Sequence, residues 1–89
     1  MNIIFDSIKD AANLAKHGLS LADAANIEWE TLRVKPDIRC NYGETRMIGY
    51  ALIATRLYCV VFADRDQERR IISLRKANQR EVNHYVSKN

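Results

Sequence analysis

Apolar and polar residues change period several times along the chain, and each change marks an element. Ile3, Ile4 and Phe5 form a short apolar run that predicts a first strand. Asp6 or Ser7 can cap a following helix, which the spacing carries to about Lys16 or His17. Ile8, Ala11, Ala12 and Ala15 give that helix an apolar stripe, and Gly18 stands where a left-handed stop belongs. Ser20 reads as the cap of a second helix, with Asp23 three residues later in a capping-box arrangement. Leu21, Ala24, Ala25 and Trp29 are expected on its buried side.

From Thr31 the period shortens. Thr31–Val34 resembles a strand that Pro36 ends or confines to an edge, and residues 36–43 form a polar loop. Arg46–Thr55 is a long strand candidate, in which Gly49 marks a bulge or the close approach of another chain. Leu57–Ala63 is the most hydrophobic run and is expected at the centre of the sheet. After a charged turn, Arg69–Leu74 makes the last strand. A final helix over about Arg75–Val86 turns Ala77, Val82, Tyr85 and Val86 inward. The order β-α-α-β-β-β-β-α predicts one α+β domain over residues 1–89, with helices beside an antiparallel sheet.

Charge changes this picture. Between Arg65 and Tyr85 stand six cations, Arg65, Arg69, Arg70, Arg75, Lys76 and Arg80, against three acids, Asp66, Glu68 and Glu81. That excess equals the formal charge of the whole chain, +3, so the remainder is close to neutral. A cationic surface on a neutral body points to an anionic partner, nucleic acid or an acidic protein segment.

Composition sets the bounds. At 89 residues the chain holds one small core, burying roughly 60–65% of its unfolded surface. No apolar run approaches the ~20 residues of a membrane span. The start MNIIFDSIKD lacks the features of a signal peptide, so a cytoplasmic location without membrane contact is expected. Cys40 and Cys59 have neither a CxxC nor a Cys/His ligand spacing, so no metal site and no cofactor is expected. Free thiols are expected, with Cys59 a small buried apolar residue.

Three clusters could carry chemistry. Lys16-His17-Gly18 could bind phosphate or transfer a proton, but plain C-capping, with cations at the negative end of the helix dipole, is the favoured reading. Glu44 and Arg46, two apart on an extended segment and joined by Arg56, could pair an acid–base group with a phosphate clamp. A solvated ion pair is the plainer reading. The Arg65–Arg75 region suits bidentate phosphate binding and stabilisation of a phosphoryl transition state. There Arg70 and Arg75 need not share a face, because the alternation between them is imperfect.

Phe5-Asp6, Lys9, Asn13, Lys16-His17-Gly18 and Ala24 follow a recognisable pattern. It continues through Glu44-x-Arg46, Gly49, Val60–Arg65, Arg70-Ile71-Ile72-Ser73-x-Arg75-Lys76-Ala77, Glu81 and Tyr85. Over nearly its whole length the chain resembles BrnT-type toxins of bacterial type II toxin–antitoxin modules. It departs at Phe5, where family members often carry Trp, and at Leu74, where they often carry Ala. The resemblance implies a RelE/ParE-like fold and a ribonuclease that arrests translation. It also implies a cognate BrnA-type antitoxin, in a complex of two toxins and two antitoxins. Whether the ribosome takes part is left open.

A ribonuclease can use the 2′-hydroxyl of RNA as nucleophile without a metal. It then needs a base, an acid and cations for the phosphate. Under this reading His17, Glu44, Arg65, Arg70 and Arg75 are the catalytic candidates, with proton transfer falling to His17 or Glu44. Lys16, Arg46, Arg69, Lys76 and Tyr85 are the RNA-binding candidates. The competing reading is a non-catalytic basic module that grips an antitoxin, a nucleic acid or a gyrase-like target.

Overall fold

The computed structural model describes residues 1–88. The elements are β1 (Asn2–Ile4), α1 (Ser7–His17), a 3₁₀ helix (Leu21–Asn26), β2 (Glu28–Pro36), β3 (Met47–Ile53), β4 (Arg56–Arg65), β5 (Glu68–Lys76) and α2 (Gln79–Ser87). They form an α+β fold around one five-stranded sheet, ordered β1-β5-β4-β3-β2. The sheet is mixed rather than antiparallel. β2 to β5 pair antiparallel, while β1 runs parallel to β5 through Ile3 opposite Arg69 and Ile4 opposite Arg70.

Local chemistry sets the helix ends. Asp6 caps α1 by accepting from the Ile8 N–H at 2.7 Å, and Gly18 closes it in the left-handed region at φ 71°. The expected second α-helix is a 3₁₀ helix. Its partner acid is Asp10 of α1, not Asp23: one carboxylate oxygen accepts from the Ser20 hydroxyl (3.0 Å) and the Leu21 N–H (2.7 Å). Trp29 belongs to β2 and meets Phe62 edge-on, with ring centroids 5.8 Å apart.

One face of the sheet carries the core. Ala51, Val60, Phe62, Ile71 and Leu74 pack with Leu21, Ala24 and Ile27. Gly49 lies in regular register opposite Val34 and Val60, so it marks no bulge. What approaches it is the Leu32 side chain, 2.6 Å from where a β-carbon would stand.

α1 docks differently from its apolar stripe. Ile8, Ala11, Ala12 and Ala15 are exposed, and the one buried residue of α1 is Asn13. β1 ends opposite Arg70, so the rest of β5 has no strand on that side. There the Asn13 carboxamide donates to the Leu74 carbonyl at 2.8 Å and accepts from the Leu74 N–H at 3.1 Å. It donates again to the Leu19 carbonyl at 2.9 Å. A side chain thus completes the ladder that a longer β1 would have provided.

β5 reaches Lys76, so Arg75 and Lys76 are strand residues, not a helix start. α2 begins at Gln79 behind an Asn78 cap in a full capping box with Glu81. Tyr85 and Val82 are half-buried, while Val86, expected inward, is exposed. Both cysteines are free, Cys59 buried and Cys40 exposed. Among the described residues no helix is long and apolar enough to cross a membrane.

Candidate functional site

The face opposite the core carries the charged residues, and a bulge decides which. Along β4 and β5, Val61 faces Ser73 but Phe62 faces Ile71, leaving Ile72 as the extra residue. Side chains alternate along a strand, and the bulge resets that alternation. Arg70, paired with Ala63, and Arg75, paired with Cys59, therefore share one face with Tyr50 and Ile48 of β3.

At one end of this face lies a hollow of about 550 Å³. Glu44 and Thr45 of the β2–β3 loop, Ala63 and Arg65 of β4, and Glu68 and Arg70 of β5 contribute to its walls. Glu44 bonds to Arg70 and, at 3.1 Å, to Arg46. These two arginines, Arg70 foremost, hold its carboxyl below the usual range. Arg65 sits beside the β4–β5 turn, opposite Glu68, and makes no ion pair among the described residues.

The loop presents Glu44 through a chain of contacts. Buried Asp37 accepts from the Arg39 guanidinium (2.8 Å twice) and from the Tyr42 hydroxyl (3.0 Å). The Tyr42 ring supports the Arg46 guanidinium at 4.1 Å, and Arg46 reaches Glu44. Arg39 keeps Asp37 ionised far below the ordinary carboxylate range. Sequence reasoning missed Asp37 and Tyr42. The signal available was an aspartate directly after Pro36, a turn-forming pair in a polar stretch.

At the other end Glu81 joins three elements. It accepts from both terminal nitrogens of Arg75 (2.8 Å each), from the Tyr50 hydroxyl (2.8 Å) and from the Asn78 N–H (2.9 Å). The Arg75 hydrogen bonds depress its pKa to about 2. Burial, then the bond to Glu81, pushes the Tyr50 phenol upward, so it stays protonated. Arg75, strengthened as a cation by the same carboxylate, ties α2 to the sheet.

The structure brings Glu44, Arg65 and Arg70 into one hollow, with Arg46 beside it and Arg75 farther along the same face. It does not bring His17 or Lys16 there. Both end α1, neither lines the hollow, and the His17 side chain makes no hydrogen bond or ion pair among the described residues. Arg69 faces the core side, bidentate to Asp64 (2.8 and 2.9 Å) and stacked over Trp29 and Phe62, so it clamps the fold. Lys76, paired with Tyr58, also faces away from Arg75. Arg56 lies at the β3–β4 turn, the opposite end of β3 from Glu44. The Tyr85 hydroxyl donates to the Thr31 carbonyl at 2.6 Å, and its ring lies under Arg33.

Comparison with known proteins bears on the chain as a whole. Residues 5–81 match the family model described as the ribonuclease toxin, BrnT, of type II toxin–antitoxin systems. Among solved structures, the chain is similar to the crystal structure of the Brucella abortus ribonuclease toxin, BrnT. The TM-score is 0.70 at 28% identity, covering 89% of this chain and 99% of that one. No curated protein sequence matches.

Proposed function

The chain belongs to the BrnT family of ribonuclease toxins of type II toxin–antitoxin systems, and from that premise we propose that it cuts RNA at the Glu44–Arg65–Arg70 hollow. The observation that carries this is the shared face. Glu44, Arg65 and Arg70 converge in one hollow, whose lining also holds Asp64, already paired with Arg69, and Glu68. A phosphate entering the hollow would lie between Arg65 and Arg70. It would compete with Glu44 for Arg70, loosen the hold on that carboxylate and raise its proton affinity. Glu44 then accepts the 2′-hydroxyl proton, the 2′-oxygen attacks phosphorus, and the 5′-oxygen leaves, taking its proton from solvent. The arginines offset the charge that builds on the phosphoryl oxygens, which supports a reaction without a metal ion. Arg46, in the loop before β3, flanks the hollow, and Arg75, held by Glu81, lies farther along the same face. His17 has no part in this scheme.

The wider reading follows the family. Residues 1–89 act as one toxin domain of RelE/ParE-like architecture, arrest translation by cutting RNA in the cytoplasm, and are neutralised by a BrnA-type antitoxin. Two toxins and two antitoxins make the complex.

The test is cleavage of a defined single-stranded RNA in EDTA by the parent chain, Glu44→Gln and Arg70→Ala. Fragments ending in 2′,3′-cyclic phosphate from the parent alone are expected. Loss of cutting in EDTA would overturn the metal-free step. RNA bound in a salt-dependent way and left intact, on translating ribosomes as well, would replace the nuclease with a binding module.

A further inference from the structure

A second groove, of about 490 Å³, opens on the same sheet face between β2, β3 and α2. Its floor is Ile48 and Tyr50 of β3 with Tyr85 of α2. Cations flank it on both sides. On one side they are Arg80 of α2 and Lys88 at its C-cap, with the His84 ring between them, each four residues from the next and so along one side of the helix. On β2 they are Arg33 and Lys35, two apart and so on one side of the strand. Glu81 is the one acid in the lining, and Arg75 already neutralises it. Lys35, Arg80 and Lys88 make no ion pair among the described residues.

We propose that this groove is a nucleotide subsite for the RNA strand. An unpaired base rests on the Ile48–Tyr50–Tyr85 floor and the neighbouring phosphates lie on the Arg80–Lys88 and Lys35 sides. The proposal deepens the ribonuclease reading and rests on it.

Charge and continuity favour this occupant. A floor of one isoleucine and two tyrosine rings suits the flat face of a base, and cations on both sides suit the neighbouring phosphates. Register places Ile48 and Tyr50 on the face that also carries Arg75 and Arg70. A strand whose scissile phosphate lies in the hollow can therefore continue along that face into the groove. The subsite would hold a nucleotide beyond the cut, and so would set sequence preference and KM rather than the chemical step.

The test uses the full chain carrying Glu44→Gln to hold RNA uncut. A labelled single-stranded oligonucleotide is titrated by fluorescence anisotropy at several salt concentrations. The groove variants are Arg80→Ala/Lys88→Ala, both at exposed positions, and Ile48→Ala, each with its fold checked by circular dichroism. The double variant should bind roughly tenfold more weakly, with a salt slope smaller by about two. An oligonucleotide lacking one base should lose affinity for the parent but not for Ile48→Ala. In chains that retain Glu44, the groove variants should raise KM and shift the mapped cut sites while kcat holds.

Groove variants that bind and cut RNA as the parent does would overturn the subsite and leave the nuclease standing. Variants that keep RNA affinity but escape antitoxin neutralisation would make the groove a protein-docking site and overturn the proposal. A parent chain that leaves all RNA intact is instead a failure of the nuclease reading itself.

Discussion

Arg70 and Arg75 stand five residues apart on β5, an odd spacing, yet both face the side of the sheet that carries Tyr50 and Ala63. The unpaired Ile72 between them makes this so. At ~3.3 Å per residue the two guanidinium stems start about 15 Å apart, enough for each to meet a different part of one extended strand.

Arg70 should therefore matter most to the chemical step. Arg70→Ala removes both a phosphate cation and the main restraint on Glu44. The expected loss is about 10²–10³-fold in kcat, comparable to removing one transition-state donor. Arg70→Lys keeps the charge but not the fork, so it should recover only part. Single-turnover cleavage would check this, and an unchanged rate in Arg70→Ala would remove Arg70 from the mechanism.

Glu81 makes stability depend on acid. Its folded pKa of about 2 lies below the ordinary 4.5. The stabilisation is thus complete above about pH 4.5 and is lost as pH falls through about 2. Glu44, also lowered by its arginines, adds in the same direction. Urea unfolding of the parent should weaken across this window, while Glu81→Gln, less stable at pH 7, should show a flatter profile. Parallel curves would mean the Arg75–Glu81 contact gives no net stabilisation.

Asn13 should be the costliest single polar residue to lose. Asn13→Ala strands the Leu74 N–H and carbonyl inside the protein, and each orphaned group costs about 1–3 kcal/mol. A drop of about 2–6 kcal/mol in unfolding free energy is expected. Chemical denaturation measures it, and a drop under half a kilocalorie would show that water replaces the amide without cost.

Gly49 is held by space rather than by backbone conformation. A β-carbon there would lie 2.6 Å from Leu32 Cδ1 and 3.1 Å from Val34 Cγ1. Gly49→Ala should cost about 1–3 kcal/mol as an overpacked core position. Adding Leu32→Ala should make the second substitution less damaging than it is alone. A strictly additive double variant, measured by thermal melts, would count against the contact.

Much of the fold was legible because its elements announce themselves locally. The Asp6 cap, the Gly18 stop, Pro36 at the end of β2 and the apolar run of β4 all stand where the sequence puts them. The face of α1 was not legible. The spacing of Ile8, Ala11, Ala12 and Ala15 promised an apolar contact, but two hydrogen bonds to a bare strand edge outweigh one isoleucine and three alanines. The basic Arg75-Lys76 pair looked like a helix start because cations are common on helices. Its strand state comes from pairing with Cys59 and Tyr58, partners more than fifteen residues away. The Ile72 bulge contains neither glycine nor proline, and its one local trace is the imperfect alternation from Arg70 to Leu74. For the site, Glu44, Arg65 and Arg70 were named from residue type and position, and the fold brings them together. His17 was named on the same grounds, and the fold leaves it at the end of α1.

The Asn13 contact has a consequence for molecules meeting one another. Beyond Arg70, β5 would expose free N–H and C=O groups, a template on which a second chain could add a strand and begin to aggregate. A carboxamide seated on Leu74 blocks that template near its centre, and α1 stands in the path of any incoming strand. Losing Asn13 would therefore expose a sticky edge beside the arginines, and the damaged protein would recruit its own copies before it met any other partner.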